Sequence, residues 1–356
     1  MIGQDDLRAA VAARLISEAQ AASLSQLAHE RSGARAHLSP GDEPFELFKG
    51  FNEIFIVIGL VILAAGWAGV FGLSLATGAG RGGLVQQATY VAAAGAALVW
   101  LASEYFVRTR RMVAPAITLS IFWAINAGLG FVSALSHPFM VAQEDFSSLP
   151  FPLLLSTLAI GVFWVRFRVP FAMAMMAVGA FIVAIVWAAN TSGTPQNFED
   201  LFLLSAGGPF AWITLALGAI VFILAMIFDM SDPHRVTRRS AQGFWLHVVA
   251  APALVNTIAL TLLQEGSSLS QAGLALFLGF IACIAIIIDR RSFLIAAVGY
   301  CVALSFTLFE GEGAAYVVLG LGVVLVLLGA LWERMRGVLL RLFAPVLPLD
   351  RLPPSA

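Results

Sequence analysis

The side chains that could do chemistry within the apolar part of this chain are few. Asn126 and Asn256 lie in the middle of long apolar runs, and His247 lies about one turn inside the run that holds Asn256. Each asparagine could bind a ligand in a central cavity, or it could bond a neighbouring helix, an interaction averaging about 0.6 kcal/mol in membranes. His247 is expected at headgroup depth as an interfacial residue. It is roughly half a turn out of phase with Asn256, so we do not expect the two to line one pocket.

The other irregular feature is Gly207-Gly208-Pro209, which lies within an apolar run. Proline removes a backbone donor and glycine lowers helix propensity, so this tripeptide predicts an interruption of the helix. A full break would free carbonyl groups that a substrate could satisfy, as in transporters with discontinuous helices. The alternative is a packing kink without a role in binding.

The chain carries no motif of a known catalytic class. It has no phosphate loop, no H-E-x-x-H zinc helix and no G-x-S-x-G elbow, and its histidines have no spacing that suggests a shared metal. Cys283 and Cys301 lie inside apolar runs and are expected to be packing residues. We therefore predict a protein that is not an enzyme, with no catalytic residue, metal or cofactor.

Charged residues are also missing from the middle of the apolar runs. Placing a charged side chain at the bilayer centre costs about 2.5–3.5 kcal/mol of insertion free energy. Such side chains therefore occur mainly in proteins that bind or transport ions or protons. Glu104, Arg166 and Asp289 lie at the ends of runs, where we expect their side chains to reach the headgroup region. This pattern argues against a proton-coupled pump, although carriers of neutral solutes can work without such groups.

These residues must be positioned by membrane-spanning helices. The chain has 356 residues, of which 60% are apolar and 12% charged, about half the usual charged fraction of soluble proteins. Runs long enough to cross the hydrocarbon layer as helices predict ten spans. Their bounds are 54–77, 84–106, 112–136, 150–166, 169–189, 201–228, 243–263, 272–289, 292–309 and 314–332. The near-neutral net charge of −1 predicts no nucleic-acid partner.

The distribution of basic residues predicts the orientation of the spans. Nineteen of the 20 Lys and Arg residues fall in the two terminal segments or in the loops after the second, fourth, sixth and eighth spans, and Arg81 is the exception. Since Lys and Arg beside a span resist translocation, these segments are expected in the cytoplasm. The pattern predicts a multi-pass protein of a bacterial inner membrane with both termini cytoplasmic.

The segments outside the spans divide the chain into three parts. Residues 1–43 predict a cytoplasmic helical hairpin with a linker, in which Ser17 and Gln20 have the spacing of a capping box. Residues 44–332 form the transmembrane domain, which begins with an interfacial helix, and residues 333–356 form an amphipathic tail. The hairpin could contact another protein, or it could pack on the cytoplasmic face of the membrane domain.

Two short matches suggest an internal repeat. A displacement of 122 residues superposes Phe122-Trp123 on Phe244-Trp245, and a displacement of 120 superposes Ala177-Val178-Gly179 on Ala297-Val298-Gly299. If the matches reflect a repeat, spans two to five and six to nine are parallel copies of a four-helix unit. Chance remains the alternative explanation for matches this short.

A hairpin with Ile16-Ser17-Glu18-Ala19-Gln20 just past its turn, followed by a multispan helical domain, resembles the bacterial membrane proteins of domain-of-unknown-function family 2157. The segments 244–252 and 288–294 are similar to stretches of uncharacterised alphaproteobacterial membrane proteins. The hairpin motif covers under a tenth of the chain. The family has no established activity, so the resemblance implies only the class of protein and its location.

Together these observations predict an all-α polytopic membrane protein that acts as a scaffold or sensor. Its expected partners are the lipid bilayer and a protein bound at the cytoplasmic hairpin. The alternative function is a permease for a neutral or weakly polar small solute, with a path near the third, sixth and seventh spans. Its candidate positions are Asn126, Gly207, Gly208, Pro209 and Asn256, and His247 is a further polar position.

Overall fold

The structure is a computed structural model of the chain. It describes residues 4–21, 23, 24, 27, 51–76, 83–137, 140, 142, 143, 145–233, 235, 238–293, 297–302, 312–345 and 347–353. These residues contain helices and turns and no β-strand. Eight of the helices are long and apolar enough to cross a membrane, which agrees with the predicted all-α membrane class.

The described helices are labelled in chain order, and short π or 3-10 turns lie between some of them. Their bounds are α1 (Gln4–Ala12), α2 (Phe51–Ala76), α3 (Leu84–Ser103), α4 (Val113–Leu135), α5 (Pro150–Phe167), α6 (Pro170–Ser192), α7 (Phe210–Met230), α8 (Arg238–Glu265), α9 (Ser268–Ile288), α10 (Glu312–Ala330) and α11 (Trp332–Leu342). A π-helical turn, Glu104–Thr109, continues α3.

Most predicted spans correspond to one helix each. The first five correspond to α2 to α6, the seventh and eighth to α8 and α9, and the tenth to α10. The ninth, 292–309, falls largely outside the described residues. The count of ten crossings and the side on which each terminus lies therefore stay predictions.

The sixth span differs from its prediction at its first residues. Gly207 has φ +76 and follows a short 3-10 turn, Leu204–Ala206, while Pro209 is the N-cap of α7. The predicted interruption inside the span is therefore wrong, because Gly207-Gly208-Pro209 precedes the helix. Proline fits the start of a helix, where its missing N–H is not needed, and glycine adopts the left-handed conformation without strain.

Contacts between helix ends bring loops together at two opposite ends of the bundle. At one end, Arg166 pairs with Glu104 at 2.7 Å, which links the ends of α5 and α3. Near the start of α2, the buried carboxylate of Glu53 accepts a hydrogen bond of 3.1 Å from Ala114 N at the start of α4, where the helix dipole favours negative charge. These contacts gather the arginine-bearing loops on one side, called the arginine-rich end below.

At the other end of the bundle, the contacts involve loops with few basic residues. Asn190 Nδ2 donates to Phe146 O at 3.2 Å, and Gln264 Nε2 donates to Glu199 Oε2 at 3.2 Å. These pairs link the end of α6 to the loop before α5, and the end of α8 to the loop before α7. The two ends of the bundle thus differ in their basic residues, and the topology expected from the loop charges stays a prediction.

The N-terminal segment contains the predicted capping box. Gln20 N donates to Ser17 Oγ at 3.2 Å, and Ser17 N donates to Gln20 Oε1 at 2.9 Å, so the two side chains satisfy backbone donors reciprocally. This local prediction is confirmed. Residues 44–50, where the interfacial helix is predicted to begin, lie outside the described residues.

Candidate functional site

Five ionisable side chains are buried together at the arginine-rich ends of α7, α8 and α9. Asp229, Arg235, His247, Asp289 and Arg290 expose between 0% and 6% of their surface, and we call them the ion-pair cluster. Burying an unpaired charge is costly, so charged groups inside proteins are paired or hydrogen-bonded. The cluster is the candidate site because it concentrates the polar chemistry of an otherwise apolar bundle.

Asp229, in the last turn of α7, is the centre of one half of the cluster. Arg290 approaches it with two nitrogens: Nε donates to Oδ2 at 2.9 Å and Nη2 donates to Oδ1 at 2.5 Å. His247 Nε2, from α8, shares a hydrogen bond of 2.9 Å with Oδ2. The forked geometry of arginine matches a carboxylate, which makes this arrangement stronger than a single ion pair. Three segments of the chain therefore meet at one carboxylate.

A glycine makes room for this carboxylate. A Cβ atom on Gly243 of α8 would lie 2.2 Å from Asp229 Oδ1 and 3.2 Å from the backbone oxygen of Ala225. Only hydrogen fits at that position, so Gly243 lets α7 and α8 come close enough for His247 to reach Asp229. The ring of His247 is fixed further by edge contacts with Phe222 and Phe293 at 5.5 and 5.7 Å.

Asp289 is the centre of the other half. Arg235 Nη1 donates to Asp289 Oδ2 at 2.9 Å and Nη2 donates to Asp289 O at 2.7 Å. Trp332, the first residue of α11, donates from Nε1 to Asp289 Oδ1 at 2.7 Å. Asp289 and Arg235 both have positive φ, 55° and 52°, which ends α9 and turns the loop before α8. The cluster thereby joins α11 to the membrane helices.

The charges in the cluster balance. Two aspartates face two arginines, so the group is neutral when His247 is neutral. Removing one member of such a buried pair typically costs about 3–5 kcal/mol, because the other charge is left uncompensated. Since both carboxylates are bonded by arginine, the arrangement is suited to holding helix ends together.

The C-terminal tail folds back beside the cluster. Arg336 of α11 is 1% exposed, and its Nη2 donates to the backbone oxygen of Pro353. Burial lowers the pKa of the Arg336 guanidinium, while the nearby carboxylates of Asp289 and Glu333 oppose that change. The predicted amphipathic tail, residues 333–356, thus includes a helix in which Arg336 is buried by the returning chain.

The structure places the predicted site residues in separate environments. Asn126 Nδ2 donates to Phe122 O at 2.8 Å within α4, and its amide fills the space above Gly95 of α3, where a Cβ would lie 2.2 Å from Oδ1. The amide thus bonds its own helix and packs against α3, and the two predicted alternatives, a ligand and a hydrogen bond to a neighbouring helix, stay predictions. Asn256 is half-buried in α8, and Gly207, Gly208 and Pro209 precede α7.

His247 and Asp289 require corrections. His247 was expected as an interfacial residue at headgroup depth; the structure shows that it is 0% exposed, because Asp229 and two aromatic rings enclose it, while its depth stays a prediction. Asp289 was expected to reach the headgroups, but it is 4% exposed and bonded by Arg235 and Trp332. Glu104 and Arg166 lie nearer the surface and form the ion pair described above.

Hydropathy alone does not indicate that Asp229 and Arg235 belong to a site. Asp229 falls one residue beyond the predicted end of the sixth span, and its main partner Arg290 is 61 residues further along the chain. One sequence pattern could have found it: Asp229, Asp232 and Asp289 are acidic residues in loops that otherwise carry arginine. Acidic residues that lie among arginines at the ends of spans indicate that the two kinds of side chain form ion pairs.

The described residues include no group of three or more His, Cys, Asp or Glu side chains that could hold a metal ion. The chain was also compared with known proteins. No family model, no curated protein and no solved structure matches it.

Proposed function

We propose that the protein is a non-enzymatic scaffold or sensor of a bacterial inner membrane, and that its N-terminal hairpin binds another protein in the cytoplasm. The observation that carries the proposal is a set of apolar side chains outside the spans. Leu15, Leu24 and Leu27 expose 77%, 45% and 49% of their surface. Exposed apolar clusters on the polar parts of a protein typically mark interaction surfaces.

Leu24 and Leu27 are part of a shallow groove on the hairpin. Ile16, Ala19, Gln20 and Ser23 complete its lining. The capping box fixes the start of the helix that carries most of these residues, so the groove has a defined shape before a partner binds. A short apolar groove of this kind suits an amphipathic helix of the partner.

The ion-pair cluster supports the sensor part of the proposal. Asp289 is bonded on one side by Arg235 and on the other by Trp332 at the start of α11. We therefore expect a change in the ends of α7 to α9 to reach the C-terminal helix through this one carboxylate. Such a direct link is what a sensor needs between its membrane domain and an output element.

The test is to change the groove and measure a defined partner. The partner is first captured by photo-crosslinking from position 27 in cells, and its stoichiometry is measured after purification. Deleting residues 1–40 is expected to leave membrane insertion intact and to abolish co-purification. Leu24→Glu with Leu27→Glu is expected to lower co-purification at least tenfold, because each change places a charge in the apolar groove.

Ala12→Glu is the matched control, since Ala12 is an exposed residue of α1 that does not line the groove. This variant is expected to retain the partner. Co-purification that survives the deletion of residues 1–40 would contradict the proposal. Solute flux in liposomes that Asn256→Leu abolishes would favour the permease instead.

A further inference from the structure

A second feature of the bundle, separate from the hairpin and the cluster, is an apolar groove between α4, α5, α6 and α8. Its volume is about 370 Å³, within the usual range of ligand sites. Aliphatic, aromatic and small side chains line almost all of it, among them Ala124, Gly128, Phe171, Val178 and Trp245. We call it the intramembrane groove.

The two hydroxyl groups in the lining are already engaged. Ser156 Oγ donates to Pro152 O at 2.8 Å, and Thr157 Oγ1 donates to Leu153 O at 2.9 Å, both within α5. Each hydroxyl has thus used its only proton on its own helix. A polar solute would lose its water in this groove and gain no hydroxyl donor, and the indole N–H of Trp245 is the remaining side-chain donor among the lining residues, so the lining favours an apolar ligand.

The length and depth of the groove match one leaflet of a bilayer. Along α6 its lining extends from Phe171, the second residue of the helix, to Ile182. Eleven residues of α-helix rise about 16 Å, and half of a bilayer's hydrocarbon core is about 15 Å. On α6 the groove therefore runs from the arginine-rich end of the bundle to about the middle of the membrane, and on α5 its lining extends further, to Leu153, the fourth residue of that helix.

The groove is open to the outside of the bundle along α6. Val178 and Ile182 line it and are each 45% exposed. Both lie within the membrane-length segment Pro170–Ser192, where the surroundings are lipid chains rather than water. Hydrocarbon is thus the medium with direct access to the opening.

A cation lies close to the end of the groove that faces the headgroups. Arg168 is exposed in the connection between α5 and α6, three residues before Phe171. Its guanidinium lies 4.7 Å from the centroid of the Trp164 ring, which fixes it at the level expected for interfacial aromatic residues. Basic side chains at this depth attract anionic lipid headgroups.

We propose that the intramembrane groove binds one acyl chain of an anionic phospholipid from the leaflet at the arginine-rich end, with the phosphate beside Arg168. The chain fills the groove to the membrane midplane, and Phe171 and Trp245 flank its upper part. The edge contact between these two rings, 4.7 Å between centroids, joins α6 to α8 at that level.

The test uses the full-length protein in nanodiscs that contain phosphatidylglycerol with a diazirine in the middle of one chain. After illumination, the labelled peptides are mapped by mass spectrometry. Labelling is expected to concentrate on residues 171–182 and 245–249. Gly128→Leu is expected to reduce it at least fivefold, because a Cβ at Gly128 meets no atom within 4 Å and the new side chain extends into the groove.

Gly279→Leu is the matched control. Gly279 of α9 also has no atom within 4 Å of an added Cβ, it is exposed, and it does not line the groove. Val178→Trp at the opening is a second variant that blocks entry from a partly exposed position. Thermal unfolding of all three variants shows whether each is folded before labelling is compared.

Two results would overturn the proposal. The first is that the groove is labelled no more densely than α2. The same conclusion follows if Gly128→Leu and Val178→Trp are both folded and both retain the labelling. The other is crosslinking between two copies of the chain at residues 171–182 in place of lipid labelling. With a phosphatidylcholine probe, we expect weaker labelling of the wild type than with phosphatidylglycerol. Arg168→Gln should remove this difference between the two probes. Equal labelling of the wild type by both probes would overturn the assignment of the phosphate to Arg168.

Discussion

At the scale of single residues, the chemistry of the site depends on close approach. Asp229 reaches Arg290 and His247 at 2.9 Å only because Gly243 has no side chain beneath the carboxylate. Composition and spacing indicated that His247 was a rare polar residue, but not that it was buried. Burial of a single histidine depends on its tertiary neighbours, here Phe222 and Phe293, which no local pattern contains.

Gly243→Ala is expected to destabilise the protein. The added methyl group would overlap Asp229 Oδ1, and overpacking of this kind costs about 1–3 kcal/mol. Thermal unfolding in detergent should show a lower midpoint than that of the wild type. The displaced carboxylate should also weaken the contact with His247, which is visible as a shift of the imidazole NMR signals.

Gly279→Ala is the control for this change, because it adds the same methyl group to a helix at a position where no atom lies within 4 Å of the added Cβ. It should leave the midpoint unchanged or raise it, since alanine favours a helix over glycine by up to about 1 kcal/mol. Equal midpoints for Gly243→Ala and the wild type would show that α7 and α8 can separate without cost, contrary to the packing described.

At the scale of elements, the described helices begin and end where local chemistry dictates. The reciprocal hydrogen bonds of Ser17 and Gln20 were predicted from a spacing of three residues, since capping is a local interaction. The start of α7 was predicted about nine residues too early, because residues 201–206 are apolar enough to resemble a span. Gly207 and Pro209 set the true boundary through backbone geometry.

Trp332→Phe is expected to loosen α11 from the membrane helices. It removes the hydrogen bond from Nε1 to Asp289 while retaining an aromatic ring, and a bond to a charged group contributes about 1.5–3 kcal/mol. Hydrogen exchange measured by mass spectrometry should become faster in residues 332–342. The exchange of α3 to α6 should not change.

The same substitution at Trp212 is the control, because that indole is 60% exposed on α7. Trp212→Phe should leave the exchange of α11 as in the wild type. If Trp332→Phe also left the exchange of α11 unchanged, the hydrogen bond to Asp289 would not be what holds α11 against the membrane helices. The proposed connection between the membrane domain and α11 in a sensor would then be contradicted.

At the scale of the whole molecule, hydropathy and the position of arginine predicted the class of fold and most of the helices. Both signals arise because unpaired peptide groups and charges are costly to place in hydrocarbon. This cost depends on the sequence of each segment alone and not on its tertiary neighbours. The ion-pair cluster could not be predicted in the same way, because Arg290 and Asp229 are 61 residues apart and meet only after helices pack. Similar reasoning applies to Arg336, whose burial depends on the returning tail.

The predicted repeat gains support from the arrangement of helix ends, although it stays a prediction. Glu104 pairs with Arg166 at the ends of α3 and α5, and Asp229 pairs with Arg290 at the ends of α7 and α9. The arginines differ in position by 124 residues and the acids by 125, near the displacements of 120 and 122 found in the sequence. The first pair is half-exposed, whereas the second is buried.

The expected topology can be measured by cysteine labelling. In a variant with Cys283→Ala and Cys301→Ala, single cysteines are introduced as Gln4→Cys, Arg81→Cys, Arg238→Cys and Ser355→Cys. A maleimide that cannot cross membranes should label only position 81 in intact cells, since the other three are expected in the cytoplasm. Labelling of one terminus but not the other would require an odd number of crossings.

The long separation of Asp229 from Arg290 also has a consequence for biosynthesis. At about 5–20 residues per second, a ribosome needs about 3–12 s to make the 61 residues between them. During that interval Asp229 lacks its forked contact with Arg290, so we expect its carboxylate at the end of α7 to stay hydrated at the membrane surface. Final docking of the second half of the bundle is therefore a late event, timed by the emergence of the loop after α9 from the exit tunnel.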